Sequence, residues 1–264
     1  MKPEVDGATV HLRRLGQGRP ALLLHGVPDS AQLWEPLLER LPAGWEAFAP
    51  DLPGFHRSAL PVDFRYELQG YADWVRGLLD ALAVQQPVLL VLHDWGGIFG
   101  HAFACAYPER VSGILAMSYP FTHLYRWHAW ARLWRTPLLG ELSMALISRP
   151  MMEWEMRRRS PRLDPDHVRA TWRALEGRAD VRRHVLALYR AMDPDRFVAW
   201  GARALALNTP VQAVWGAEDP YVPSWVASHL RAERVERLSG VGHWVPLEAP
   251  EAVVEAWRRL EAPR

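Results

Sequence analysis

The 264-residue sequence predicts an α/β protein with a mostly parallel central sheet, flanking helices and an inserted helical cap. Three observations carry this reading. From residue 8 to about 118, short apolar runs alternate with longer helical patterns, the rhythm of βαβ units. After Pro120 the alternation stops, and helical patterns rich in Trp, Arg and Met fill residues 121 to about 200. Strand-like runs then resume at 210–219 and 233–240. The core therefore comprises residues 1–120 and 204–264, split around a cap of 121–203.

ALLLHG (21–26) and WEAFAPDLPG (45–54) are short apolar runs that end in turns, and both read as buried strands. Between them Ser30 is placed to cap a helix bearing Leu33, Trp34, Leu37, Leu38 and Leu41 at helical spacing. Leu68, Tyr71, Val75, Leu78, Leu79 and Leu82 repeat that period over 66–84. PVLLVLHDWGG (87–97) follows as the central strand, running into the helix GIFGHAFACAY. Pro108 marks the turn before the strand at 111–118. In the cap, Val181, Val185, Leu188 and Met192 set one helix, and Trp127, Trp130 and Trp134 recur on another as packing or as the wall of an apolar pocket. A last helix starts near Pro246.

Apolar residues make up 49% and charged residues 23%, which fits a globular chain and not a disordered one. A formal net charge of +1 gives no reason to expect nucleic acid or an anionic membrane as partner. The expected partners are a small uncharged organic substrate and water, with the chain acting as a monomer or homodimer. Lys2 is the only lysine, and many of the arginines fall between Arg126 and Arg196, which reads as a solvated helical surface. Cys105 is the only cysteine, so neither an intrachain disulfide nor a Cys-based zinc site can be built. The N-terminus has no apolar stretch of signal-peptide length, and a cytoplasmic location is the expectation.

The chemistry concentrates in LVLHDWGGIFG (90–100), where a strand meets a glycine pair and then a helix. Such an elbow lifts one reactive side chain above the sheet edge, and here that side chain is Asp94. A carboxylate that attacks an sp3 carbon gives an ester that water can cleave, whereas serine would give an inert ether. The pattern therefore points to epoxides or alkyl halides, although an Asp before a helix can also serve only as a cap. HGVP (25–28) ends an early strand, so the main-chain N–H groups of Val27 and Trp95 are the candidate oxyanion donors, while His25 reads as structural. VWGAEDPYVP (214–223) and LSGVGHWVPLEAP (238–250) supply an acid and a histidine in the order nucleophile, acid, base. His243 would activate water and Asp219 would orient it, with Glu218 as the rival acid.

HGVP, DLPGFHRS, HDWGG, GAEDPYVP and GVGHWVPLEAP resemble the corresponding blocks of the epoxide hydrolase and haloalkane dehalogenase branch of the α/β-hydrolases. The resemblance spans nearly the whole core and is weakest in the cap. It implies the α/β-hydrolase fold, a covalent alkyl-enzyme ester, and no metal or organic cofactor. Val27 stands where haloalkane dehalogenases carry a halide-binding Asn or Glu, which favours epoxide hydrolysis. Trp95 and Ile98 occupy the region where haloacid dehalogenases place arginines, which argues against an anionic substrate. The sequence departs from the family pattern at Leu92, usually small, and at His56, usually glycine. Epoxide hydrolases are similar in using two cap side chains to hold the epoxide oxygen. Tyr189 falls at the second position, with a core tyrosine as the alternative, and His128 or Tyr125 at the first. Epoxide hydrolysis is thus the leading expectation. Haloalkane dehalogenation, and a ligand-binding or signalling role on the same scaffold, are the alternatives.

Overall fold

The computed structural model describes residues 2–158 and 160–261. A small hairpin of β1 (Glu4–Val5) and β2 (Ala8–Thr9) precedes a seven-stranded sheet. That sheet contains β3 (Leu12–Gly16), β4 (Arg19–Leu24), β5 (Trp45–Pro50), β6 (Val88–His93), β7 (Val111–Met117), β8 (Val211–Gly216) and β9 (Arg234–Leu238). Its order is β3-β5-β4-β6-β7-β8-β9, antiparallel at β3 and parallel elsewhere. Parallel strands covered on both faces must be apolar throughout, which is why VLLVLH reads as a continuous run: all six residues of β6 are buried.

The core helices are α1 (Glu35–Leu38), α2 (Leu68–Ala81), α3 (Asp94–Ala106), α10 (Val245–Glu248) and α11 (Pro250–Glu261). Ser30 does cap the segment after β4, its side chain accepting from the Gln32 N–H, but the helix expected over 33–41 is only a 3-10 turn, Ala31–Trp34, followed by α1. Pro36, in the first turn of α1, has no N–H, and α1 itself is four residues long. The strand expected over 87–97 stops at His93, because the glycine pair belongs to α3.

Between β7 and β8 lie α4 (Ala129–Arg135), α5 (Leu139–Leu146), α6 (Arg149–Arg157), α7 (Pro165–Leu175), α8 (Ala179–Ala191) and α9 (Phe197–Ala206). The helix α9 returns to pack on α3, so this insertion ends on the core instead of standing wholly above it.

Both departures at Leu92 and His56 have a local geometry. Leu92 fills space left open by Gly100, where a β-carbon would lie 2.3 Å from Leu92 Cδ2. His56 has φ +47, the left-handed region in which glycine is unstrained and other residues are rare. No helix among the described residues is long and apolar enough to cross a membrane.

Candidate active site

In an open parallel sheet, groups that follow the carboxyl ends of strands share one edge. β4 leads into His25–Val27, β6 into Asp94, β8 into Asp219 and β9 into His243, so the four blocks separated in sequence are brought to one place. Asp94 sits at the first position of α3 with φ +48, a strained conformation for a residue with a β-carbon. Small neighbours make that turn possible. A β-carbon on Gly26 would lie 2.2 Å from Asp94 Oδ1, one on Gly96 2.1 Å from the Leu24 carbonyl, and one on Gly97 2.1 Å from the Tyr119 ring.

The Val27 N–H donates to Asp94 Oδ1 at 2.8 Å. No such bond from the Trp95 N–H occurs among the described residues, so only one of the two expected backbone donors reaches this carboxylate. Oδ2, the other oxygen, lies 3.5 Å from His243 Nε2. On the far side of the ring, His243 Nδ1 donates to Asp219 Oδ2 at 2.9 Å. Asp219 Oδ1 accepts from the N–H groups of Tyr221, at 2.9 Å, and Val222, at 3.0 Å, which fixes its orientation. Glu218, the rival acid, is exposed.

The electrostatics follow from this geometry. Burial alone would lower the pKa of His243, but Asp219 and Asp94 outweigh it and hold the imidazole well above its ordinary value. Burial pushes Asp94 up, and the opposing pull of His243, His93 and the Val27 N–H leaves it below the ordinary carboxylate value. Both shifts favour the charged pair, carboxylate beside imidazolium.

The cap closes the site with a cavity of about 90 Å³ whose lining includes Asp94, His243, His128, Tyr189 and Tyr221. Tyr189 is 3% exposed, and its ring meets Trp95, Trp127, Trp134 and His128 edge-on. Burial, then the charge of Asp94, raises its pKa well above the ordinary value, so the hydroxyl keeps its proton. His128 precedes α4 and caps it: Nδ1 accepts the Ala131 N–H at 3.3 Å. That bond leaves the ring proton on Nε2. Burial holds the pKa of His128 down to about 4, against the pull of Asp94, so this ring is a neutral donor. Tyr125, the substitute for His128, spends its hydroxyl on the Tyr221 carbonyl at 2.9 Å. Of the tryptophan series, Trp130 and Trp134 line the cavity, while Trp127 stacks on Trp95 at 6.2 Å between ring centres.

Several site residues escaped sequence reasoning. Tyr221 stands edge-on to His243 and donates to the cap carboxylate Glu155 at 2.9 Å. Asp29, 2% exposed, accepts from Trp244 Nε1 at 2.8 Å and lies 2.7 Å from His167 Nε2 on α7, tying the HGVP loop to the base loop and the cap. His93 Nε2 bonds the His243 carbonyl at 2.9 Å. His25 bonds only backbone: the Gly26 carbonyl at 2.7 Å and the Leu52 N–H at 2.9 Å. A buried Asp beside HGVP and a Trp beside the base histidine were the available signals, but nothing in the sequence paired them. Among the described residues no cluster of three or more potential metal ligands occurs.

Residues 20–142 match a family model described as the alpha/beta hydrolase fold. The chain is similar to an epoxide hydrolase of Caballeronia sordidicola, 26% identical over 299 positions that cover 95% of this chain and 89% of that protein. It is also 33% identical over 121 residues to a cis-3-alkyl-4-alkyloxetan-2-one decarboxylase of Shewanella oneidensis, a match covering 45% of this chain and 38% of that protein's length. Among solved structures, an epoxide hydrolase variant of Vigna radiata superposes with a TM-score of 0.83 at 22% identity, covering 99% of this chain and 98% of that one. That likeness is one of fold.

Proposed function

We propose that this chain, an enzyme with the α/β-hydrolase fold, opens an epoxide through a covalent ester on Asp94 that His243-activated water then cleaves. The observation that carries the reading is the unequal environment of the two Asp94 oxygens. Oδ1 is held by the Val27 N–H, while Oδ2 lies beside His243, and Asp94, His243, Tyr189 and His128 all line one cavity.

In the first step Oδ2 attacks one epoxide carbon and the C–O bond to that carbon breaks. The departing oxygen becomes an alkoxide, which needs a hydrogen bond and then a proton. Tyr189 supplies the proton, and the neutral His128 donates a second hydrogen bond through Nε2. The product of this step is a neutral ester, so one of the two charges that keep His243 protonated has disappeared. The Tyr189 phenolate left by the first step takes up the His243 proton and regains its hydroxyl, so His243 becomes a base only now, when water must be activated. Water attacks Cγ of Asp94, the negative charge gathers on Oδ1, and the Val27 N–H is already in place to receive it. Collapse releases the diol and restores the carboxylate.

The cavity also speaks to the substrate. Its carboxylates, Asp94 and Glu155, already have His243 and Arg158 as partners, and no Arg or Lys among the described residues lines the cavity to hold an anion. An uncharged substrate fits. Halide displacement is the second reading, favoured by the Trp127 indole N–H, which is buried without a partner and belongs to the ring stacked on Trp95. Neither indole lines the cavity, whereas Tyr189 and His128 do, and this puts the epoxide first.

The test is to trap the ester. With His243→Gln the first step proceeds and the second loses general-base help, typically worth about 10² to 10⁴ in rate. Intact mass should show a substrate adduct, and peptide mapping should put it on Asp94. A single wild-type turnover in ¹⁸O-water should leave label in the Asp94 carboxylate. Label appearing first in the product, with no adduct in the variant, would make Asp94 a general base and overturn the ester.

A further inference from the structure

The loop that carries His243 runs from the end of β9 to the start of α10 without regular structure, and Val241, Gly242, His243 and Trp244 are all buried. Buried polar groups outside helices and sheets need partners from side chains. Three such ties come from the core. Glu248 accepts from the Gly242 N–H at 3.1 Å, His93 Nε2 donates to the His243 carbonyl at 2.9 Å, and Asp29 accepts from the Trp244 indole N–H at 2.8 Å. The N–H of His243 itself is held from elsewhere. It donates to Ser160 Oγ at 3.3 Å, and Ser160 belongs to the cap, between α6 and α7.

Ser160 is fully buried and opens a four-residue turn, in which the Leu163 N–H donates to the Ser160 carbonyl at 3.1 Å. Pro161 stands at the second position, where its fixed φ suits a turn, and Leu163 is buried in the hydrophobic core, so the turn is pinned at both ends. Arg162, in the same turn, reaches the base loop a second time: its Nη2 lies 3.7 Å from where a β-carbon on Gly240 would stand. The neighbouring helices add Glu155 on α6, which accepts from Tyr221, and His167 on α7, which meets Asp29. One part of the cap thus grips both loops that carry His243 and Asp219.

We infer that Ser160 is a positioning residue for the base: through the His243 N–H, the cap sets how the imidazole stands against Asp94. The inference rests on the ester reading and concerns its second step. Asp219 orients the ring, but the ring follows wherever its main chain is placed. A displacement of about 1 Å can cost about 10² in rate. Ser160 does not line the cavity, so it acts only through His243. Attack of Asp94 on the substrate needs no base, and loss of the Ser160 hydroxyl is therefore felt when the ester is cleaved, not when it forms.

The experiment is single-turnover kinetics of Ser160→Ala with styrene oxide and 1,2-epoxyhexane, paired with the ¹⁵N-histidine NMR spectrum of the free protein, in which His243 is identified by its loss in His243→Gln. Formation of the Asp94 ester should stay within about twofold of wild type, while its hydrolysis should slow at least about tenfold and the ester should accumulate in intact-mass spectra. The His243 ring signals should shift or broaden. Ser160→Cys, which keeps a weaker acceptor of similar size, should recover part of the hydrolysis rate. Equal slowing of both steps, or neither step changed and His243 signals as in wild type, would reduce Ser160 to a structural role and overturn the inference while the ester reading stands. If the wild type forms no ester with either epoxide, the ester reading falls. His243 signals that shift in Ser160→Ala would then still support the positioning role, and unshifted ones would overturn that as well.

Discussion

Leu92 and Gly100 occupy one space: a β-carbon on Gly100 would lie 2.3 Å from Cδ2 and 3.0 Å from Cδ1 of the leucine two residues before Asp94. A large residue on β6 is tolerated because its neighbour on α3 has no side chain. Gly100→Ala should therefore destabilise the protein by about 1–3 kcal/mol through overpacking behind the elbow. Adding Leu92→Ala should recover part of that loss, a coupling that a double-mutant cycle of urea unfolding would measure. Additive effects would show that the two side chains do not share the space.

The carboxylates of Asp219 and Asp94 raise the pKa of His243 against the effect of burial. A raised folded pKa means that the imidazolium contributes stability fully below the unfolded value of about 6.5, and that this contribution is lost as pH rises through the folded pKa. Asp94→Asn removes one of the two carboxylates, so the His243 titration followed by imidazole NMR should move to lower pH. Thermal stability of the variant should begin its alkaline decline earlier than that of the wild type. An unchanged His243 midpoint would break the link between ester formation and release of the base.

Tyr189→Phe removes the proposed proton donor and keeps the ring contacts to Trp95 and Trp134. Epoxide turnover should fall at least about tenfold, with stability changed by no more than about one hydrogen bond. His128→Ala removes both the Nε2 donor and the cap on α4, so it should lower turnover and also cost about 1 kcal/mol. Measured on a 1-haloalkane instead, the Tyr189 change should matter little, because halide leaves without a proton. Equal turnover of epoxide by Tyr189→Phe and wild type would take Tyr189 out of the reaction.

Asp29 is fully buried, and burial alone would raise its pKa; contacts with His167 and Trp244 bring it instead to about 2. A depressed carboxylate contributes stability above its unfolded value, near 4, and loses it as pH falls through about 2. The shift corresponds to about 2 kcal/mol. Asp29→Asn should thus be less stable than wild type at pH 7 by at least about that amount, and should lose less on going from pH 4 to pH 2. Urea unfolding at pH 7, 4 and 2.5 would check both, and parallel curves would show that the Asp29 charge does not matter.

How much could be read in the sequence depends on how local the structure is. The turn at Asp94 needs only a strand, a small pair of residues and a helix in succession, and HDWGG states all three within a few positions. Loops that follow parallel strands share the carboxyl edge of the sheet, so the order of Asp94, Asp219 and His243 along the chain already implied that they meet. The cap was different. Its helical period showed that Tyr189 lies on a helix, but its inward direction is set by how α8 packs on α4 and α5, which repeat spacing does not encode. The capping bond that fixes the His128 tautomer depends on where α4 begins, a detail that periodicity leaves free to within a residue or two. Least legible were the long-range polar ties. Asp29 reaches Trp244 across 215 positions and His167 across 138, and Tyr221 reaches Glu155 across 66. Their pairing is decided only when the sheet, the base loop and the cap close on one another, because a buried carboxylate must be paired and the fold alone determines which donors are within reach.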